Sequence, residues 1–182
     1  MNVWKIKSDS INYDRMTLAD YDEWDILLNI EFEGERLKDN WKPLKISWEN
    51  DKNKKSDIPQ LGANFLMVNN KILSCLNNIW DKDVEILPML YEGDEEYSLV
   101  NIYRVVNCID FELSEYKLYK ACDEIQKMKK YILKPETLDE VIIFRMDKYI
   151  NGNIFATDKF KEVIEKNNIS GLSFCKVWSD EK

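Results

Sequence analysis

Asp81, Asp83 and Glu85 alternate along the chain, so in an extended segment their carboxylates share one face. Asp94, Glu95 and Glu96 follow in the next stretch. A carboxylate pair can hydrolyse a glycoside, and a cluster of hard oxygen ligands can hold magnesium or calcium. A carboxylate-dependent, metal-assisted hydrolase is therefore one function that this spacing could serve. The plainer reading is a solvated strand end and an acidic hairpin loop, and the rest of the chain favours it. There is no histidine in the 182 residues. That removes the usual general base near neutral pH, every Ser-His-Asp or Cys-His arrangement and every zinc site that needs an imidazole. There are five glycines, with no G-x-x-x-x-G-K-[ST] and no G-x-G-x-x-G, so a phosphate-cradling loop has little material. The sequence thus points to a non-enzyme with no catalytic residue, no metal site and no cofactor.

Charge placement says more. The net charge is -8, which disfavours nucleic-acid backbones and anionic membrane surfaces and favours basic partners. Between Asp14 and Glu35 there are eight acidic residues against Arg15 alone, and between Asp81 and Tyr97 seven against Lys82 alone. Between Lys117 and Lys134 there are six lysines against Asp123 and Glu124. Within the first acidic stretch, Tyr21 and Trp24 sit among Asp20, Asp22, Glu23 and Asp25. Aromatic residues ringed by charge are frequent anchors of protein interfaces. Trp24 could equally fill the buried side of a short helix, and Tyr21 less readily. The candidate contact residues are therefore Asp20, Tyr21, Asp22, Glu23, Trp24, Asp25, Asp94, Glu95 and Glu96, facing a protein partner with a basic surface.

The elements that must position these residues are partly legible. Trp4 and Ile6 share one face of a strand over 2–7, and Leu44, Ile46 and Trp48 point inward from another over 44–48. Residues 84–91 and 97–106 read as strands joined by the acidic loop at 92–96. Residues 141–146 and 172–178 are short apolar runs that read as strands. Helical spacing marks 70–80, capped by Asn69 or Asn70. It marks 158–167 as well, capped by Thr157 or Asp158 and followed by a turn at Gly171. Tyr116, Tyr119, Cys122 and Ile125 keep helical spacing, whereas 126–133 reads better as a strand. Residues 50–60 read as an exposed loop. Strands outnumber helices and do not alternate with them, so the fold class is α+β: mainly antiparallel strands with two or three helices packed on them. The four cysteines form no C-x-x-C pair and read as small apolar core residues in a reducing compartment. No apolar run approaches the ~20 residues of a membrane helix, and the N-terminus alternates rather than forming a signal sequence. A cytoplasmic protein is expected.

The order of segments resembles a known family. Val84-Glu-Ile-Leu-Pro-Met precedes Tyr97-Ser-Leu-Val-Asn-Ile and Cys108-Ile-Asp-Phe-Glu-Leu-Ser-Glu. Ile143-Phe-Arg-Met, Ile154-Phe-Ala-Thr-Asp-Lys-Phe, a helix and Ile169-Ser-Gly-Leu-Ser-Phe follow. This series resembles the eleventh immunity-protein family of bacterial polymorphic toxin systems. It is closer over 69–178 and looser over 1–60, where it rests on the Trp4 strand and on Phe32-Glu-Gly-Glu-Arg-Leu before Pro43. The resemblance implies one domain over 1–182 that binds and neutralises a cognate toxin. An adaptor or chaperone for toxin secretion is the other protein-binding reading. The matching positions are apolar or turn-forming, so the resemblance carries over fold determinants and no contact residue.

Overall fold

The computed structural model describes residues 1–30, 33–50, 54–62, 65–149 and 153–180. Its elements are β1 (Asn2–Ser8), β2 (Met16–Leu18), α1 (Trp24–Leu28), β3 (Lys45–Trp48), β4 (Gln60–Leu61), β5 (Phe65–Asn69), α2 (Asn70–Leu76), β6 (Val84–Pro88), β7 (Leu90–Tyr91) and β8 (Tyr97–Ile102). These are followed by β9 (Val105–Val106), β10 (Glu115–Leu118), β11 (Ile125–Lys130), β12 (Ile143–Met146), β13 (Ile154–Thr157), α3 (Asp158–Lys166) and β14 (Leu172–Ser179). The fold is α+β, as expected. A seven-stranded sheet runs β6-β8-β5-β4-β2-β3-β7, a five-stranded sheet β14-β1-β13-β12-β9, and β10 pairs with β11 alone. Pairing is mainly antiparallel. The exceptions among the described residues are β2 with β4, β3 with β7 and β9 with β12.

Strand periodicity distributes the apolar side chains into three cores. Leu66 and Val68 of β5 face the core that α2 and α3 cover, while Phe65 and Met67 face the opposite one, beneath α1. Ile143, Ile154 and Ala156 join the first core, and Phe144, Met146 and Phe155 point through their sheet into a third, beneath the β10–β11 ribbon. Both sheets are thus buried on two faces, which is why 143–146 and 154–157 read as unbroken apolar runs. Phe160 of α3 is fully buried against Trp80 and Phe174, and such a ring contributes ~1.5–3 kcal/mol by burial.

Several expectations change. The helix expected over 70–80 ends at Leu76, and Asn78 takes φ 62° in the turn that returns Trp80 to the core. Its cap is as expected, with the Asn69 side chain accepting from Ile72 N–H at 3.1 Å. Residues 84–91 are two strands: β6 pairs with β8, and after Met89 the chain crosses to pair β7 with β3. Residues 97–106 likewise split at Tyr103 and Arg104, where the chain passes from one sheet to the other. The helical spacing over 116–125 is overridden by the β10–β11 hairpin, because pairing places Tyr116 against Met128 and Leu118 against Ile125. β14 is an edge strand and only half-buried. Thr157 takes the N-cap position of α3 as expected, but its side chain caps no N–H; its hydroxyl donates to the Val141 carbonyl instead. Of the cysteines, Cys108 is buried and Cys75 half-buried, but Cys122 and Cys175 are exposed, so the core reading fails for those two. Within the loop expected at 50–60, residues 51–53 lie outside the described residues, as does Phe32. No described helix is long and apolar enough to cross a membrane.

Candidate functional site

The first acidic stretch is built on the end of β2. Ala19 N–H donates to the Lys45 carbonyl of β3, and the Asp20 carboxylate accepts from Asp22 N–H at 3.0 Å, starting a 3-10 turn that runs into α1. Leu27 is fully buried, and Trp24 packs its ring over Gly62. Gly62 has φ +58°, and a Cβ there would lie 3.0 Å from the indole, so this contact needs glycine. With those two side chains turned inward, the outer surface carries Tyr21 at 86% exposure, Leu28 at 72% and Ile26. Asp20, Asp22 and Asp25 of the same stretch are exposed too. Trp24 therefore forms the floor of this surface and Tyr21 its outermost ring.

The second acidic stretch joins β7 to β8. Glu92 takes the Lys45 ammonium at 2.5 Å; this hydrogen bond and its charge hold Glu92 below the usual carboxylate range and Lys45 above the usual amine range. The backbone N–H of the same Lys45 donates to Glu23 at 3.4 Å. Two acidic stretches far apart in sequence thus meet at one lysine. Glu95 accepts from the Tyr97 hydroxyl at 2.5 Å, and Glu96 from the Asn70 amide at 2.9 Å. Burial, reinforced by Glu95, pushes the Tyr97 phenol well up. Asp94 is exposed and lines a hollow of about 440 Å³ with Glu95, Asp57, Lys55, Trp48 and Tyr91. Sequence reasoning missed Lys45 as the joint. It also missed Ile26, Leu28 and Leu90 as exposed apolar groups. Leu90 was open to detection, since Met89 and Tyr91 point inward and strand alternation turns the residue between them out.

The expectation of a solvated strand end over Asp81–Glu85 holds at Asp81 and fails at Asp83 and Glu85. Asp83 and Glu85 are buried. One oxygen of Asp83 accepts from Ile142 N–H at 2.8 Å and Ile143 N–H at 3.3 Å, and the other lies 3.9 Å from Arg104. Burial pushes Asp83 above the usual carboxylate range, against those N–H groups, which favour its charged form. Glu85 accepts from Leu37 N–H at 2.8 Å and the Asn101 amide at 3.1 Å. Arg145, fully buried nearby in sequence order on β12, is pushed down to about 10 by burial, against the charge of Glu35. These carboxylates fasten the 33–37 segment and β12 to β6. Among the described residues no group of three or more Asp, Glu, Cys or His side chains is placed to hold a metal ion.

The segment from β7 to β14 carries the acidic loop, the lysine-rich ribbon and the buried strands of the second sheet. Residues 90–179 match the Imm11 immunity protein family. The Imm11 match lies almost wholly inside the stretch whose segment order resembles immunity proteins. It includes Asp94, Glu95 and Glu96 and leaves out Asp20 to Asp25. Gly171, inside it, has φ +104°, and a Cβ there would run into the Ile58 carbonyl oxygen, so the turn after α3 requires glycine. An immunity family implies a role as the inhibitor of a toxin partner. No curated protein matches the chain.

Proposed function

We propose that the chain, acting as one domain over 1–182, is an immunity protein that binds a cognate bacterial toxin domain and neutralises it by covering its active surface. The Imm11 match over 90–179 is the observation that carries this reading. A mode of contact is available: Tyr21, Ile26 and Leu28 are exposed in the same short stretch as the carboxylates of Asp20, Asp22 and Asp25, and Glu23 of this stretch and Glu92, in the loop that carries Asp94–Glu96, share Lys45. Exposed apolar side chains among charges suit a protein interface, and the carboxylates suit a basic partner surface. On a toxin that is a nuclease, the carboxylates would take the place of phosphates. Inhibition needs no chemistry from this chain, and its setting is the cytoplasm of a cell carrying a polymorphic toxin system. Asp83 and Glu85 hold backbone N–H groups, which disfavours the metal-assisted hydrolase reading.

The test is binding and inhibition with the toxin domain encoded beside this chain. The triple variant Tyr21→Ala, Asp22→Lys, Asp25→Lys is expected to weaken binding by tenfold or more, about 1.4 kcal/mol or above, with an unchanged melting temperature. Binding unaffected by the triple variant would remove this surface from the account. A secretion chaperone would bind the toxin's targeting region and leave the isolated toxin domain active, so inhibition separates the two protein-binding readings.

A further inference from the structure

The β10–β11 ribbon stands apart from both sheets. Its inner face, Tyr116, Ile125 and Met128, packs on the third core. Leu118 pairs with Ile125 and so turns to that same side at the open end of the ribbon, while the loop before β10 exposes Leu113 (62%) and Phe111, whose ring meets Tyr116, and Tyr119 is exposed just after the strand. The outer side carries Lys117, Lys127 and Lys130, and Lys120 and Lys129 are exposed as well. Among the described residues none of the five forms an ion pair. Glu115 stands opposite Lys130, but Lys117 and Lys127 are direct cross-strand partners. Like charges placed so destabilise a hairpin, and a carboxylate bound between them would relieve the repulsion. Lysines on a ribbon edge can serve only to block strand addition. That role does not call for two lysines placed directly opposite each other across the ribbon.

A stretch of opposite sign is exposed on the same molecule. Asp20, Asp22 and Asp25 are exposed beside the exposed Tyr21, Ile26 and Leu28 in sequence. We propose that the outer face of the ribbon docks on the 20–28 surface of a second copy of this chain, head to tail. The contact is heterologous, so it leaves one ribbon and one acidic surface free and extends or closes into a ring according to its angle. The net charge of -8 opposes association at long range. The Debye length is ~8 Å at physiological salt, so that repulsion is largely screened while the contact pairs persist. Because the acidic surface is the one assigned above to the toxin, toxin and second copy compete for it; this last clause rests on the proposed function, and the self-association does not.

Sedimentation velocity on the purified chain tests the proposal without any toxin. The chain is expected to exceed its monomer mass of 21.7 kDa as concentration rises at physiological salt, and to return to it at high salt, since the contact charge pairs are then screened. Two charge-reversed variants are needed: Lys127→Glu with Lys129→Glu and Lys130→Glu, and Asp20→Lys with Asp22→Lys and Asp25→Lys. Each alone is expected to weaken self-association by tenfold or more. An equimolar mixture of the two is expected to associate again, which also shows that both are folded. A wild-type chain that stays monomeric at all concentrations would overturn the proposal. So would association indifferent to salt, or variants that fail to associate when mixed. A ribbon that binds a single-stranded oligonucleotide while the chain stays monomeric would assign this face to nucleic acid instead.

Discussion

Replacing Asp83 separates a carboxylate that holds backbone from one that holds a metal or a proton. Truncation in Asp83→Ala leaves the Ile142 and Ile143 N–H groups, at 2.8 and 3.3 Å from the same oxygen, without their acceptor in a site closed to water. Each such donor costs ~1–3 kcal/mol, the longer bond less. Against this, the variant no longer buries a carboxylate whose charged form burial disfavours. The expected net loss is about 2–4 kcal/mol. Asp83→Asn keeps an oxygen for both N–H groups and gives up only the contact with Arg104 at 3.9 Å, whose side chain is 47% exposed. Exposed pairs of that kind contribute ~0–1 kcal/mol, so the Asn variant should lose about 1 kcal/mol or less. Urea unfolding followed by tryptophan fluorescence reads the difference. With a slope of ~2 kcal/mol/M, the midpoint should fall by about 1–2 M for Ala and by under about 0.5 M for Asn. Equal losses in the two variants, or an Ala variant as stable as the wild type, would refute the reasoning.

The other expectations are more local. Gly171→Ala should destabilise the fold by more than ~1 kcal/mol, because φ is +104° and the new Cβ would meet the Ile58 carbonyl; a melting temperature within a degree of wild type would contradict this. On acidification, burial favours protonating Asp158, but hydrogen bonds from the Trp4 indole and Asn2 outweigh it and hold the group below the usual range. Its stabilisation is therefore present above the unfolded carboxylate range near pH ~4 and is lost as pH falls through the lower folded value. Asp158→Asn should flatten the acid limb of the stability curve, and an unchanged limb would contradict the assignment. In the native protein Cys122 and Cys175 should react quickly with a thiol reagent, whereas Cys108, buried with its thiol pushed up to about 12, should react only on unfolding. Mass spectrometry of the labelled peptides checks this.

The strands and helices that carry one-sided burial were readable from the chain. Ile46 and Trp48 alternate with exposed or half-exposed neighbours, and Phe160 and Ile164 mark one stripe of α3. What escaped was set by partners distant in sequence. Nothing local tells that the chain leaves β6 at Met89 to pair with β3, or that Tyr116 will find Met128 rather than Tyr119. Asp83 and Glu85 read as solvated because their charge is local, while the N–H groups they accept come from Ile142, Ile143 and Leu37. The candidate contact residues fared better where exposure follows from charge. Asp20, Asp22 and Asp25 needed only to stay in water, and the inward turn of Trp24 and Leu27 leaves Tyr21 outside. That Glu23 and Glu92 share Lys45 was invisible, because it depends on the parallel pairing of β3 and β7.

Titrating the purified chain into the isolated toxin domain while following residual toxic activity tests the central claim most directly. The account predicts a linear fall to the background level at one molar equivalent. A toxin domain that keeps full activity at saturating amounts of this protein would contradict it.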